Sequence, residues 1–135
     1  LGWAFKANTN DSRESAAIYV AKKLLDAGAY IQIYDPMVIE SRIYSDLSSL
    51  FDKEIKIDTI KYCSSLKDAN NNVDGIAILT DWDEFIEFDW KDFINKSNSE
   101  IRIFDGRNIL EEQLKDYRHY YKLWKIFYFM VEQAY

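Results

Sequence analysis

Short β-rich runs alternate with helix-patterned segments along the chain, and that alternation restricts the fold more than any other feature. The runs are residues 1–6, "AYIQIYDP" (29–36), "KIDTIKYC" (56–63), "VDGIAILTDW" (73–82) and "EIRIFDG" (100–106). Between the first two, Ala16, Ala17, Val20, Ala21, Leu24 and Leu25 recur at helical spacing, and Gly28 stands where a left-handed C-terminal cap belongs. Asp11 with Glu14 three residues on predicts a capping box, with Asp11 as the cap. Asp35-Pro36 is a turn signal. Residues 38–54 are mixed and helical in part, "SSLKDANNN" is a helix start with a frayed end, and "DWKDFINKS" and "NILEEQLKDY" are short helices. The continuous apolar run within 73–82 suits a strand buried on both faces. Strands alternating with helices predict an α/β fold, a Rossmann-like three-layer sandwich with a mainly parallel sheet.

The chain has 135 residues, and 48% of them are hydrophobic, enough for one real core. A net charge of −6 argues against a general nucleic-acid binder, which needs a basic face, but leaves room for a small anion held by a few local cations. Cys63 is the one cysteine, so no internal disulfide forms and a reducing, cytoplasmic setting is expected. Lys6, Asp11 and Arg13 come too early for a signal peptide. The first residue is Leu1, already within a strand, and the chain reads as a piece of a longer protein. Two parts are expected: residues 1–116 as a ligand-binding domain and 117–135 as an aromatic-rich tail. Lys122 and Lys125 interrupt that tail, so it is read as packing on the domain or a neighbouring subunit, not as a membrane span.

In open α/β sheets ligands bind outside the carboxyl ends of the strands. The first strand delivers Lys6 and the loop to Arg13 there, the fourth delivers "TDWDEF", and the fifth delivers "DGRN" with Arg107. Lys6 and Arg107 suit a shared diphosphate, since Arg offers a planar fork and Lys a point charge. The other reading pairs each with a carboxylate such as Asp105 or Asp11, and spacing alone leaves the two level. The dinucleotide fingerprint G-x-G-x-x-G is missing from the first turn, so Asp35 is read as a turn residue before a ribose ligand. Cys63 is read as a buried, inert thiol and His119 as structural. No Cys or His pair has metal-ligand spacing, and no residue of the chain is expected to be catalytic.

Four blocks, "GWAFKANTNDSRES", "YDP", "ILTDWDEF" and "IFDGRNIL", follow one another in order. On these the chain resembles the C-terminal, UDP-binding domain of the UDP-glucose/GDP-mannose dehydrogenases, from residue 1 to about 115, and most resembles the UDP-glucose-oxidising members. The family's first block is roughly G-x-A-F-K-x-x-T-x-D-x-R-E-S, matched here by Gly2, Ala4, Phe5, Lys6, Thr9, Asp11, Arg13, Glu14 and Ser15. The resemblance implies a full-length enzyme that oxidises the C6 alcohol of a nucleotide sugar to a carboxylate with two NAD⁺ in succession. It implies that Phe5, Lys6 and Arg107 line the UDP-sugar site, and that Arg13 reaches the NAD⁺ held mainly by an N-terminal domain. It implies a homo-oligomer joined through a central helix. UDP-glucose is the favoured substrate; another UDP- or GDP-sugar, or a non-catalytic binding module, is the alternative. The family's G-G-x-C-x-x-K-D cysteine motif is absent, so these residues alone are expected to be inactive. Asn108 stands where some members carry a second arginine, and residues after 116 do not match.

Overall fold

The computed structural model describes residues 1–51 and 56–123. Five strands lie in it: β1 (Ile31–Ile33), β2 (Ile60–Tyr62), β3 (Gly75–Ile78), β4 (Arg102–Asp105) and β5 (Tyr120–Lys122). The pairs β1–β2, β3–β4 and β4–β5 are all parallel. Leu1 and Gly2 join the two groups. The Leu1 nitrogen donates to Ala77 O (2.7 Å) and Leu79 N–H donates to Leu1 O (2.9 Å), the parallel pattern, while Gly2 N–H donates to Tyr34 O (2.8 Å). The order across the sheet is therefore β2, β1, Leu1–Gly2, β3, β4, β5. This is the mixed α/β, parallel-sheet, Rossmann-like architecture that the alternation predicts. Gly2 is required where it stands. Its φ is +87°, and a Cβ there would lie 2.5 Å from Thr80 Cβ and Oγ1.

Helices connect the strands: α1 (Ala16–Asp26), α2 (Glu40–Ser48), α3 (Leu66–Ala69), α4 (Asp83–Glu87), α5 (Trp90–Lys96) and α6 (Glu111–Leu114), with a 3-10 turn at Ile57–Thr59. α1 begins later than the predicted capping box. Glu14 is at φ +58°, outside the helical region, and Ser15 is the cap, its Oγ accepting from Ala17 N–H. Asp11 is taken up instead by Arg13. At the other end Gly28, at φ +85°, closes a Schellman motif: Gly28 N–H donates to Leu25 O (2.9 Å) and Ala29 N–H to Leu24 O (3.0 Å). Ser65 caps α3 and Asp89 caps α5, as the polar starts of those segments suggest.

One core runs through the described residues, from Ala17, Ile18 and Ala21 on α1 through Ile33, Ile76, Ile78 and Ile103 to Phe85, Trp90, Leu110 and Leu114. On β4 the alternation is complete: Ile103 and Asp105 are buried, Arg102 and Phe104 exposed. Of the aromatic tail, Tyr120–Lys122 extend the sheet, and Phe104 stacks on Tyr121 with ring centroids 5.2 Å apart. His119 Nε2 stands 3.0 Å from Glu100 Oε2 without hydrogen-bond geometry, and its ring meets Tyr117 edge-on. Residues 124–135, most of the tail, lie outside the described residues.

Candidate functional site

The loop after Leu1–Gly2, residues 3–15, leaves the sheet at its carboxyl edge and carries Phe5, Lys6 and Arg13. Buried side chains hold both of its ends. Asp35, at the carboxyl end of β1, accepts through Oδ2 from Trp3 N–H (2.7 Å), Ala4 N–H (2.9 Å) and Trp82 Nε1 (3.1 Å). Through Oδ1 it accepts from Met37 N–H (2.8 Å) and Val38 N–H (2.9 Å), the Asx-type turn that Asp35-Pro36 announces. Thr80, fully buried, donates Oγ1–H to Ala4 O (2.8 Å). At the far end Ser12, also fully buried, donates to Asp46 on α2, and Asp46 Oδ2 accepts from Trp3 Nε1 (3.0 Å) as well. A main-chain bond from Phe5 N–H to Asp11 O (2.8 Å) closes the neck of the loop.

Within this frame the four singled-out residues differ. Lys6 is exposed and has no partner among the described residues. Phe5 is 53% exposed. Arg13 forks onto its neighbour, Nε to Asp11 Oδ1 (3.0 Å) and Nη2 to Asp11 Oδ2 (2.8 Å), with 79% of its side chain exposed and Nη1 unengaged. Asp11, one of the carboxylates weighed as a partner for Lys6, is thus taken by Arg13 instead. Arg107, on the turn after β4, reaches Asp81 Oδ1 at 3.3 Å, so its partner is Asp81, not Asp105. Asp105 organises the turn itself. It is fully buried and accepts from Arg107 N–H (3.2 Å), Leu110 N–H (2.8 Å) and Tyr120 Oη–H (2.7 Å). Burial, then the Asp105 carboxylate, raise the Tyr120 phenol well above its ordinary range, so it stays a donor.

The Lys6 loop, the Thr80–Asp81 turn after β3 and the Arg107 turn thus stand side by side on one edge. Thr80 ties the first to the second, and Asp81 ties the second to the third. Beside the loop an open groove of about 740 Å³ runs between α1 and α2, lined among others by Phe5, Arg13, Tyr19, Arg42 and Leu50. The bond from Arg13 holds the Asp11 carboxyl down at about 2. The Asp11–Arg13 link is therefore complete above the ordinary aspartate range, near 4, and is lost as pH falls through about 2. A carbon-detected NMR titration is expected to show Asp11 as the low outlier; a midpoint near 4 would refute the link.

Cys63 is half buried, not fully buried as expected, because it lies just past the short edge strand β2; its partial burial still raises the thiol, which argues against an activated nucleophile. Among the described residues no group of His, Cys, Asp or Glu is arranged to hold a metal ion, and no helix is long and apolar enough to cross a membrane. Sequence reasoning passed over Asp46, and it gave Thr80 and Asp81 no role of their own. The apolar run ending in "LTDW" was the available signal for the last two.

Residues 1–112 match the UDP-glucose/GDP-mannose dehydrogenase family, UDP binding domain. The chain belongs to this dehydrogenase family. Among curated relatives it is 38% identical over 113 residues to the UDP-glucose 6-dehydrogenase of Caenorhabditis elegans, covering 84% of this chain and 24% of that protein. To the UDP-glucose 6-dehydrogenase of Bos taurus it is 41% identical over 118 residues, covering 82% and 23%. To UDP-glucose 6-dehydrogenase 1 of Arabidopsis thaliana it is 37% identical over 123 residues, covering 82% and 26%. The chain spans about a quarter of the length of these relatives. The matched stretch contains β1 to β4 and the turns at their carboxyl ends, with β5 beyond it.

Proposed function

We propose that this chain is the nucleotide-sugar half of an NAD-dependent UDP-glucose 6-dehydrogenase, and that its sheet edge grips the UDP diphosphate through Lys6 and Arg107. The carrying observation is Lys6: an exposed cation without a carboxylate partner among the described residues, on a loop whose start is pinned by Asp35 and Thr80. Arg107 follows β4, which lies two strand spacings, about 10 Å, from the Leu1–Gly2 segment that leads into the Lys6 loop. Its single bond to Asp81, half exposed, is weak enough to yield to phosphate oxygens. Phe5 offers an exposed ring beside Lys6 for the sugar or base.

Arg13 faces the cofactor in this reading. Its exposed guanidinium, with Nη1 unengaged, fits an anionic or amide group presented from another domain. Bound NAD⁺ supplies the hydride acceptor; these residues supply charge and orientation. In this reading the oxidation belongs to the full-length, homo-oligomeric, cytoplasmic enzyme, and the raised Cys63 thiol argues against Cys63 as its nucleophile.

Full-length protein supplied with NAD⁺ and UDP-glucose is expected to reduce NAD⁺, followed at 340 nm, and to prefer UDP-glucose over UDP-N-acetylmannosamine and GDP-mannose. Preference for either of the others reassigns the sugar, and no turnover with any of them leaves a non-catalytic module. Arg13→Ala is expected to raise the KM for NAD⁺ with little change in that for UDP-glucose; an effect confined to UDP-glucose would overturn its assignment.

A further inference from the structure

Asp46 lies on α2, outside every block that carries the family resemblance, yet its carboxylate is a meeting point for the loop. Its side chain is only 11% exposed. Oδ2 accepts from Ser12 Oγ and from Trp3 Nε1, and Oδ1 pairs with Arg42 Nε at 3.0 Å. Arg42 Nε also lies 3.0 Å from Ser12 Oγ, so the hydroxyl donates to one charged group and accepts from another.

We propose that Ser12 and Asp46 are positioning residues that set how Arg13 is presented to its ligand, the Ser12 hydroxyl doing so separately from the devices that set Lys6. The loop has two anchors. Asp35 and Thr80 fix Trp3 and Ala4, which lead directly into Phe5 and Lys6. Ser12 is the fixed point that leads directly into Arg13. On its other side the chain passes through Glu14 at φ +58° before Ser15 starts the helix. The fork to Asp11 does not by itself fix the guanidinium, because Asp11 is carried on the same loop and is held through its main-chain oxygen on Phe5 N–H. What locates Arg13 relative to the sheet is the buried hydroxyl one residue before it. A hydrogen bond to a charged group in a buried setting is among the stronger ones, and its loss frees the adjoining main chain. Asp46 also holds the Trp3 indole, so a change there disturbs both ends of the loop, whereas the Ser12 hydroxyl touches the far end alone.

The inference rests on the reading that Arg13 faces the cofactor, and the test separates the two. In the full-length enzyme Ser12→Ala is expected to raise the KM for NAD⁺ roughly tenfold, leaving kcat and the KM for UDP-glucose within about twofold. Ser12→Thr, which keeps the hydroxyl, is expected to retain the original KM. Asp46→Asn is expected to raise both KM values. Independently of turnover, amide hydrogen exchange is expected to accelerate in Ser12→Ala at Arg13 and Ser15, whose N–H groups donate to Asp11 Oδ1 and Ser12 O, but not at Trp3 and Ala4, which Asp35 holds. Unchanged exchange at Arg13, a parallel rise of both KM values in Ser12→Ala, or Ser12→Thr as impaired as Ser12→Ala would overturn the positioning role. Accelerated exchange at Arg13 without any change in the KM for NAD⁺ would support the anchor and overturn the cofactor-facing assignment of Arg13.

Discussion

Asp35→Ala is expected to lower the melting temperature by roughly 10–20 °C, the largest stability effect of any single change in the loop region. The carboxylate receives five donors, from Trp3, Ala4, Met37, Val38 and Trp82, in a residue only 8% exposed. Each donor left unmatched in a buried site costs about 1–3 kcal/mol. Some turn outward or take up water, so a net loss of about 4 kcal/mol or more is expected, not the full sum. Asp35→Asn does not repair the site, because in either orientation its NH₂ replaces an acceptor and faces N–H groups. A fall of less than about 3 °C in thermal unfolding of the alanine variant would show that these bonds are not what holds the loop.

Lys6→Ala and Arg107→Ala are each expected to lower kcat/KM for UDP-glucose by about 2–4 kcal/mol, or roughly 30- to 1,000-fold, because each leaves phosphate charge without its counter-charge. Neither change removes a buried group, since both side chains are exposed or half exposed, so unfolding temperatures are expected to stay put. That separates a binding defect from a folding defect. If both cations hold one diphosphate, the double variant loses less than the sum of the singles. Strict additivity would assign them to different groups of the ligand, and unchanged kinetics in both would remove the shared anion site altogether. Arg107→Lys is expected to recover only part of the loss, because a point charge does not reproduce the planar fork.

The legible parts of the fold were those with a local chemical cause. The apolar spacing of α1 and the Gly28 cap are written in the sequence because helix periodicity and a positive φ leave few alternatives. The run at 73–82 announced β3, and Asp35-Pro36 announced its turn. The illegible parts depend on partners far away in sequence. Asp11 followed by Glu14 has the pattern of a capping box, but Arg13 competes for Asp11 and the chain bends at Glu14 instead. α4 spans five residues without a side-chain cap, too short for periodicity to register. β5 is a run of three residues, buried Tyr120 and half-buried Tyr121 and Lys122, whose strand character comes from pairing with β4 and not from alternation. At the candidate site the sequence pointed to the cations but not to their fixtures. Asp46 lies 34 residues from Ser12, and Thr80 lies 76 from Ala4. Side chains that act across such distances look like ordinary surface residues until the sheet assembles.

The bond from Phe5 to Asp11 has a corollary for substitution in the loop. It makes Lys6 to Asn10 a noose closed by a main-chain bond that does not depend on the Lys6 side chain, while Thr9, accepting from Asp11 N–H, and Asn8, at φ +62°, help shape it. Exchange of Lys6 therefore leaves that closure standing, whereas the scaffold beneath, sealed by Thr80 against Gly2, tolerates almost nothing.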